Sequence, residues 1–456
     1  MKSIIYKDGD SDEPKFPKDF EVIKKAVLQV TDINTNRNKY YAVELHSAKN
    51  KYRVFTHYGR TDDLNSNPNA GVKESRYFGS LDAANEAYDK IYKEKTSARK
   101  GYKELSLASS KIGSHKSVGQ SSGEIDDKTL KKLADKTVTV ISKPTISKPV
   151  QTLVSELYGY ATKALTSTIN ASITANGIET PLGVLTIGQI DKGQSVLDDL
   201  SIAFSKKKID KDELMQLSGD FYTLIPHKFG RSKDAAIDAI INSKVKIDQK
   251  QDTLQLMRDM LNVNGSTNVL INPEIEKKYQ ALNCKIDLLD DNEFKKISSL
   301  VKGSSLKPKK IFSVRREIEH KDFNTNVGNE KLLFHGSGAK NWVGILSRGL
   351  LLPKIVTKLG VKRTDAGWLG SGIYFGNEAS VAYYYASSGS YGGRTYITIA
   401  NVALGNIKKY SKITYGLNSP PDGFDSCHGV KGTEFSDNEF VIYNHNQQKL
   451  EYLLEI

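Results

Sequence analysis

The sequence predicts a multidomain α+β protein: a small antiparallel sheet with one helix, then an all-α segment, then a mixed, strand-rich domain. Three observations lead there. With 456 residues the chain is too long for one hydrophobic core, so two to four domains are expected. Apolar residues recur with period two from Phe20 onward, and with the period of a helix from Val150 onward. The last third returns to short apolar strands punctuated by glycine-bearing turns.

Residues 1–18, rich in Lys, Asp and Pro, read as a disordered lead-in. Within residues 19–104 the alternation marks strands at 26–33, 40–45 and 52–58, with turns at 34–38 and 47–50. Ser80 is placed to cap a helix that carries Ala84, Tyr88 and Ile91 on one face. Residues 105–144 read as a flexible linker, Ser- and Gly-rich to 123 and then Lys-rich, a charge run that adds reach or forms a solvated face. Residues 145–265 carry a helical stripe of Val150, Leu153, Val154, Leu157, Ala161, Ala164 and Leu165, and further apolar faces at Val196, Leu197 and Leu200 and at Leu254, Met257, Met260 and Leu261. In residues 272–456 strands are expected at 311–316, 331–335, 372–375, 395–403, 439–443 and 450–456. No Gly-x-Gly-x-x-Gly opens a βαβ unit, which disfavours the usual dinucleotide fold.

The composition, 38% hydrophobic and 26% charged, is that of a soluble globular protein, and the net charge of +13 favours a polyanionic partner, nucleic acid first. Cys284 and Cys427 are the only cysteines. They exclude a disulfide framework and lack zinc-ligand spacing even with His428 beside Cys427, so a reducing compartment and no metal are expected. No apolar run is long enough to span a bilayer, and the opening residues lead straight into charge. Neither a signal peptide nor an anchor is expected.

The chemistry concentrates in three stretches. Gly370-Ser371-Gly372-Ile373-Tyr374-Phe375-Gly376-Asn377 reads as strand and turn, followed by a helix carrying Tyr383, Tyr384 and Tyr385. Tyr374 and Tyr385 would flank a slot suited to a flat, electron-poor ring such as oxidised nicotinamide. Leu333-Phe334-His335-Gly336-Ser337 sets an imidazole, a bare backbone unit and a hydroxyl after an apolar strand. Asn438-Glu439-Phe440-Val441-Ile442-Tyr443 places a lone carboxylate at the mouth of another. Taken singly, each of these residues is more often structural than catalytic.

Together and in this order, the His-Gly-Ser, Gly-Ile-Tyr-Phe and Glu-Phe-Val-Ile-Tyr segments resemble the catalytic domain of the poly(ADP-ribose) polymerases. Pro181-Leu182-Gly183-Val184-Leu185-Thr186 and Phe221-Tyr222-Thr223-Leu224-Ile225-Pro226-His227 resemble the regulatory helical domain of the same family. His57-Tyr58-Gly59-Arg60, with Gly79 before the helix, resembles its WGR domain, although Tyr58 stands where the family usually has Trp.

The resemblance implies an NAD+ ADP-ribosyltransferase that builds poly(ADP-ribose) on itself and on other proteins in response to DNA strand breaks. It implies NAD+ as substrate and neither metal nor membrane. It implies a nuclear address in a eukaryote, or a cytoplasmic or nucleoid one in a bacterium. In this reading Gly336 binds the carboxamide, Tyr374 and Tyr385 sandwich the ring, His335, Ser337 and Asn341 hold the adenosine side, and Glu439 orients the acceptor. Tyr58, Gly59 and Arg60 contact DNA, by stacking and by phosphate pairing. Three departures bear on affinity and product: Ala382 where the family has a carboxamide-binding serine, with Ser380 out of register; Leu351 where an arginine is common; and a short stretch between Asn406 and Asn438. A mono-ADP-ribosyltransferase of the same fold and a catalytically weak DNA-binding scaffold are the alternatives.

Overall fold

A computed structural model describes residues 4–124, 146–174, 176–206, 209–228, 237–265, 275–301, 305–352, 367–387 and 394–456. The chain divides into two units, Met1–Val138 with Leu165–Leu261, and Thr139–Ala164 with Asn262–Ile456.

In the first unit the period-two segments become an antiparallel sheet of β1 (Tyr6–Lys7), β2 (Glu21–Asp32), β3 (Arg37–Ala48), β4 (Lys51–Arg60), β5 (Val72–Phe78) and β6 (Lys103–Glu104). Its spatial order is β1-β5-β4-β3-β2-β6. Alternation sorts the side chains to two faces. Tyr41, Val43 and Leu45 of β3 and Val54 of β4 pack against helix α1 (Leu81–Thr96), which buries Ala84 and Tyr88. The Ser80 hydroxyl accepts from Ala83 N at 3.3 Å, the cap that starts this helix.

The other face is polar and just as buried. Glu44, wholly inaccessible, accepts hydrogen bonds from Ser114 N at 3.1 Å, Ser114 Oγ at 2.6 Å, His46 Nε2 at 2.7 Å and the Ser117 hydroxyl. His46 Nδ1 accepts from Arg53 Nε at 3.1 Å, so the ring hydrogen sits on Nε2 and the imidazole is neutral. Burial lowers the His46 pKa. Burial also pushes the Glu44 pKa up, but the donors from His46, Ser114 and Ser117 outweigh it and hold the carboxyl below its ordinary value.

These contacts correct two expectations. Within the lead-in, Tyr6–Lys7 adds an edge strand against β5, the Tyr77 hydroxyl donates to Glu13 at 2.5 Å, and the Arg53 guanidinium lies 4.5 Å from the Phe16 ring. Aromatic side chains scattered among the charges hold the segment down. Within the linker, residues 105–124 are packed rather than free: Leu105, Leu107 and Ile112 are buried, and Ser114 and Ser117 satisfy Glu44. The rest of the linker, 125–144, lies outside the described residues.

Strand β7 (Leu107–Ser110) leads a second sheet with β8 (Ser172–Thr174), β9 (Gly177–Glu179) and β10 (Gly183–Leu185), in the order β7-β10-β9-β8. Strands β8, β9 and β10 of this sheet stand within the segment expected to be purely helical, and β7 within the expected linker. The helices there are α2 (Lys148–Thr168), α3 (Ile187–Ser205), α4 (Lys211–Leu224) and α5 (Lys244–Gly265). Thr186 caps α3 and Asp210 caps α4 through their side-chain oxygens. Helix α4 lies close on β2: a Cβ on Gly219 would stand 2.8 Å from the Thr31 carbonyl oxygen, and Thr31 N donates to the Thr223 hydroxyl at 2.7 Å.

The second unit holds the described part of α2 up to Ala164, whose predicted stripe is buried throughout. Glu156 of this helix accepts from Arg394 Nη1 at 3.0 Å and from the Tyr396 hydroxyl at 2.9 Å. The remaining helices are α6 (Ile275–Ala281), α7 (Asp291–Ser298), α8 (Glu317–Asp322), α9 (Trp342–Arg348) and α10 (Ala379–Ser387). A five-stranded sheet joins β11 (Lys285–Leu288), β12 (Lys310–Arg315), β13 (Glu330–Gly336), β15 (Tyr396–Ala403) and β19 (Gln448–Glu455), in the order β11-β12-β19-β15-β13. A four-stranded sheet joins β14 (Ile373–Phe375), β16 (Ile407–Tyr410), β17 (Ser426–Gly429) and β18 (Glu439–Ile442), in the order β14-β18-β17-β16. All six strands expected in this region are present, displaced at their ends by a residue or two.

Candidate active site

The two sheets of the second unit meet where β13 ends. Phe334 N donates to Gly376 O at 2.8 Å and Gly376 N to Phe334 O at 2.9 Å, so the residue after β14 is tied to β13. This bridge brings His335 beside Tyr374. His335 Nδ1 lies 2.8 Å from the Tyr374 carbonyl oxygen, and a carbonyl only accepts, so Nδ1 carries the hydrogen. Burial lowers the His335 pKa, so the ring is neutral and Nε2 remains an acceptor.

Next to this pair lies a cavity of about 290 Å³, lined among others by His335, Gly336, Tyr374, Ala382, Tyr385 and Glu439. Strand β18 delivers the carboxylate: Tyr374 pairs with Val441 and Phe375 with Phe440, which sets Glu439 at the start of the neighbouring strand. Its Oε2 is buried and has no hydrogen-bond partner among the described residues. Burial, with Asp437 adding like charge, pushes the Glu439 pKa up to about 7. A partly buried carboxyl facing a cavity, with its proton affinity raised by that burial, can act as an acid, a base or a fixed charge toward whatever the cavity holds.

Gly336 is required by space. A Cβ there would stand 1.7 Å from the Ala382 carbonyl oxygen, so α10 rests directly on the end of β13. Ala382 is buried and lines the cavity without a hydroxyl, while Ser380 is exposed and is not among the lining residues. Leu351, where the resembled family commonly has an arginine, is 48% exposed.

Ser337 and Asn341 are brought together but do not line the cavity. Asn341 Nδ2 donates to Ser337 Oγ at 3.0 Å, and Trp342 Nε1 donates to Ser337 O at 3.1 Å, which fixes the turn after β13. Sequence reasoning missed the segment Gly367-Trp368-Leu369, just before the stretch that begins at Gly370. Gly367 and Trp368 line the cavity, and a Cβ on Gly367 would fall 2.4 Å from Tyr374 Cζ. The paired glycines around an indole were the available signal.

In the first unit, Tyr58 stacks on Tyr41 with centroids 5.2 Å apart and planes 12° from parallel, and its hydroxyl donates to Glu74 at 2.8 Å. One ring face and the hydroxyl are thus engaged within the sheet. Gly59 packs against Gly71 and the Tyr40 ring, and Arg60 pairs with Asp62 at 3.2 Å.

Comparison with known families matches residues 24–108 to the WGR domain, 144–278 to the poly(ADP-ribose) polymerase regulatory domain, and 291–434 to the poly(ADP-ribose) polymerase catalytic domain. The last match ends before Glu439. Among curated relatives, protein mono-ADP-ribosyltransferase PARP4 of Mus musculus is 35% identical over 329 residues, covering 69% of this chain but 16% of its own length. Protein mono-ADP-ribosyltransferase PARP3 of Mus musculus is 27% identical, covering 94% of this chain and 87% of its own. Poly [ADP-ribose] polymerase 1 of Caenorhabditis elegans is 26% identical, with 95% and 49% covered.

Proposed function

With these three domains in this order the chain belongs to the poly(ADP-ribose) polymerase family, and on that premise we propose that it cleaves the nicotinamide–ribose bond of NAD+ and transfers ADP-ribose to proteins, itself included, when it meets broken DNA. The observation that carries the reading is the convergence of His335, Tyr374, Tyr385 and Glu439 on one cavity, from positions spread over more than a hundred residues of sequence.

Cleavage of that bond develops positive charge on the ribose, as glycosidic cleavage generally does. Tyr374 and Tyr385 grip the departing ring through their π-faces, and Gly336 offers main-chain groups that a side chain would block. Neutral His335, fixed by the Tyr374 carbonyl, accepts a ribose hydroxyl through Nε2. Glu439 supplies the negative charge that faces the developing cation and accepts a hydrogen bond from the attacking hydroxyl. Chain growth follows when that hydroxyl belongs to an ADP-ribose already in place. Transfer of single units is the second reading, supported by the mono-ADP-ribosyltransferase names of the PARP4 and PARP3 relatives.

Ionisation of Glu439 sets the pH response. Its pKa near 7 means that the protonated form prevails at lower pH, so kcat/KM for NAD+ is expected to rise as pH increases through about 7. His335, titrating below its ordinary value, adds no opposing limb in that range. Initial rates between pH 5.5 and 8.5 check this, and a flat profile would count against Glu439 as the acting carboxylate.

Labelled NAD+, with and without nicked DNA, tests the whole reading on a gel that resolves ladders. A DNA-stimulated smear supports polymer synthesis, a discrete band supports single-unit transfer, and no label under any condition supports the scaffold. Tyr58→Ala is expected to reduce the DNA-stimulated rate several-fold more than the basal rate, since base stacking on an aromatic is worth roughly 1–3 kcal/mol. Equal loss of both rates would place Tyr58 in sheet stability alone, through its stack on Tyr41.

A further inference from the structure

The cavity depends on a ring that must stand at one angle, and Tyr374 does not hold itself there. Its hydroxyl donates to Gly370 O at 2.7 Å and accepts from Leu369 N at 3.0 Å. Both partners are main-chain groups of one short loop, so the ring is only as fixed as that loop. Gly370 takes φ +84° and has the Leu417 backbone pressed against it, and Ser371 N donates to Leu417 O at 2.7 Å. At its centre Leu369 is wholly buried, and its carbonyl accepts the hydroxyl hydrogen of Tyr443.

Tyr443 follows β18 directly and shares a strand face with Glu439 and Val441. Its side chain belongs to a core cluster with Leu369, Cys427, Phe435 and Val441, against which Tyr374 and Tyr410 are packed. Both the Tyr443 and the Tyr410 hydroxyls also lie beside the Cys427 thiol. Leu369 is thereby held at both ends of its residue: its N–H by the Tyr374 hydroxyl and its C=O by the Tyr443 hydroxyl.

We propose that Tyr443 is a positioning residue for the cavity, its hydroxyl locking Leu369 so that Leu369 and Gly370 hold the Tyr374 ring at the angle that grips the leaving group. The proposal rests on the reading that this cavity takes the nicotinamide end of NAD+. It makes the strand that carries Glu439 also the strand that fixes the ring opposite, so carboxylate and ring keep one register.

The test uses the full chain and three variants: Tyr443→Phe, Tyr374→Phe and the double variant, with Tyr410→Phe as control. Removing one hydroxyl from Tyr443 leaves its ring in the core. KM for NAD+ and the inhibition constant of nicotinamide are expected to rise together by roughly five- to tenfold, with kcat within about twofold, the scale of one lost hydrogen bond. The double variant is expected to match Tyr374→Phe alone, because Tyr443 acts only through that hydroxyl. Tyr410→Phe, which meets the same thiol but not Leu369, is expected to leave KM unchanged.

Additive effects in the double variant, an unchanged KM in Tyr443→Phe, or a rise in KM matched by a fall in melting temperature in both Tyr443→Phe and Tyr410→Phe would each overturn the proposal. Should the unaltered chain neither turn over NAD+ nor bind nicotinamide by calorimetry, the reading of the cavity itself falls, and the positioning role with it. An unaltered chain that does both, beside a Tyr443→Phe chain indistinguishable from it, sinks the positioning role alone.

Discussion

Replacing Glu439 with Gln is expected to lower ADP-ribose transfer about 100- to 1000-fold, the usual cost of removing a preorganised charge from the transition state. The same substitution is expected to raise the melting temperature at pH 8. The sign follows from the raised pKa. A carboxyl that titrates near 7 in the folded chain and near 4.5 when unfolded binds its proton more tightly in the folded state. Ionising it therefore costs stability progressively between those two values, and the full cost stands above about pH 7. Gln removes that cost and the reactivity together. Below the ordinary carboxylate range both chains carry a neutral side chain, and their melting temperatures converge. Labelled-NAD+ incorporation and thermal melts at pH 4 and pH 8 read both effects. Undiminished transfer, or a variant that melts lower at pH 8, would contradict the role given to this carboxylate.

Glu44→Ala carries the largest expected loss of stability. It strips the acceptor from Ser114 N, His46 Nε2 and two hydroxyls in a site closed to water. Buried donors left unpaired cost roughly 1–3 kcal/mol each, partly relieved as hydroxyls rotate, so about 3 kcal/mol is expected. For a unit of this size that lowers the melting temperature by roughly 10 °C. The Glu44 pKa is held low in the fold, so its contribution is present above the ordinary carboxylate range and is lost as pH falls below it. A melting shift under about 2 °C at neutral pH would show that residues 105–124 are fastened by other means.

Glu44 also marks the limit of what the sequence disclosed. Alternation identified β2, β3 and β4, because one face of each had to be apolar to meet α1. The opposite face was illegible: Glu44 looks like a solvent-facing residue until Ser114 and Ser117, about seventy residues away, are known to bond it, and His57 until Gly113 N is known to donate to its Nδ1. The Ser/Gly composition of 105–123 reads as a linker for the same reason, since composition does not record that a distant carboxylate needs hydroxyl donors. Helix α2 was plain from its stripe, and Ser80 from its place before an apolar run.

At the site, the types His335, Tyr374 and Glu439 were legible through family resemblance, whereas their convergence depends on the Phe334–Gly376 bridge and on the β14–β18 register, which no local pattern encodes. Leu369 escaped notice, and Tyr443 was read only as part of a strand, because their contacts run through main-chain atoms of Leu369. Ser337 and Asn341, drawn from the same resemblance, bond to each other beside the cavity.

Ala382 gives the site an unusual exposure to history. A side-chain hydroxyl at that position could be gained or lost by a single codon change, and with it one handle on a bound ring. On the proposed function the methyl leaves recognition to peptide groups, which no substitution alters in kind. Because Gly336 admits no Cβ beside the Ala382 carbonyl, that main-chain surface is also closed to gradual remodelling. Drift in this family line can retune the rim of the cavity freely, but its floor changes only by breaking.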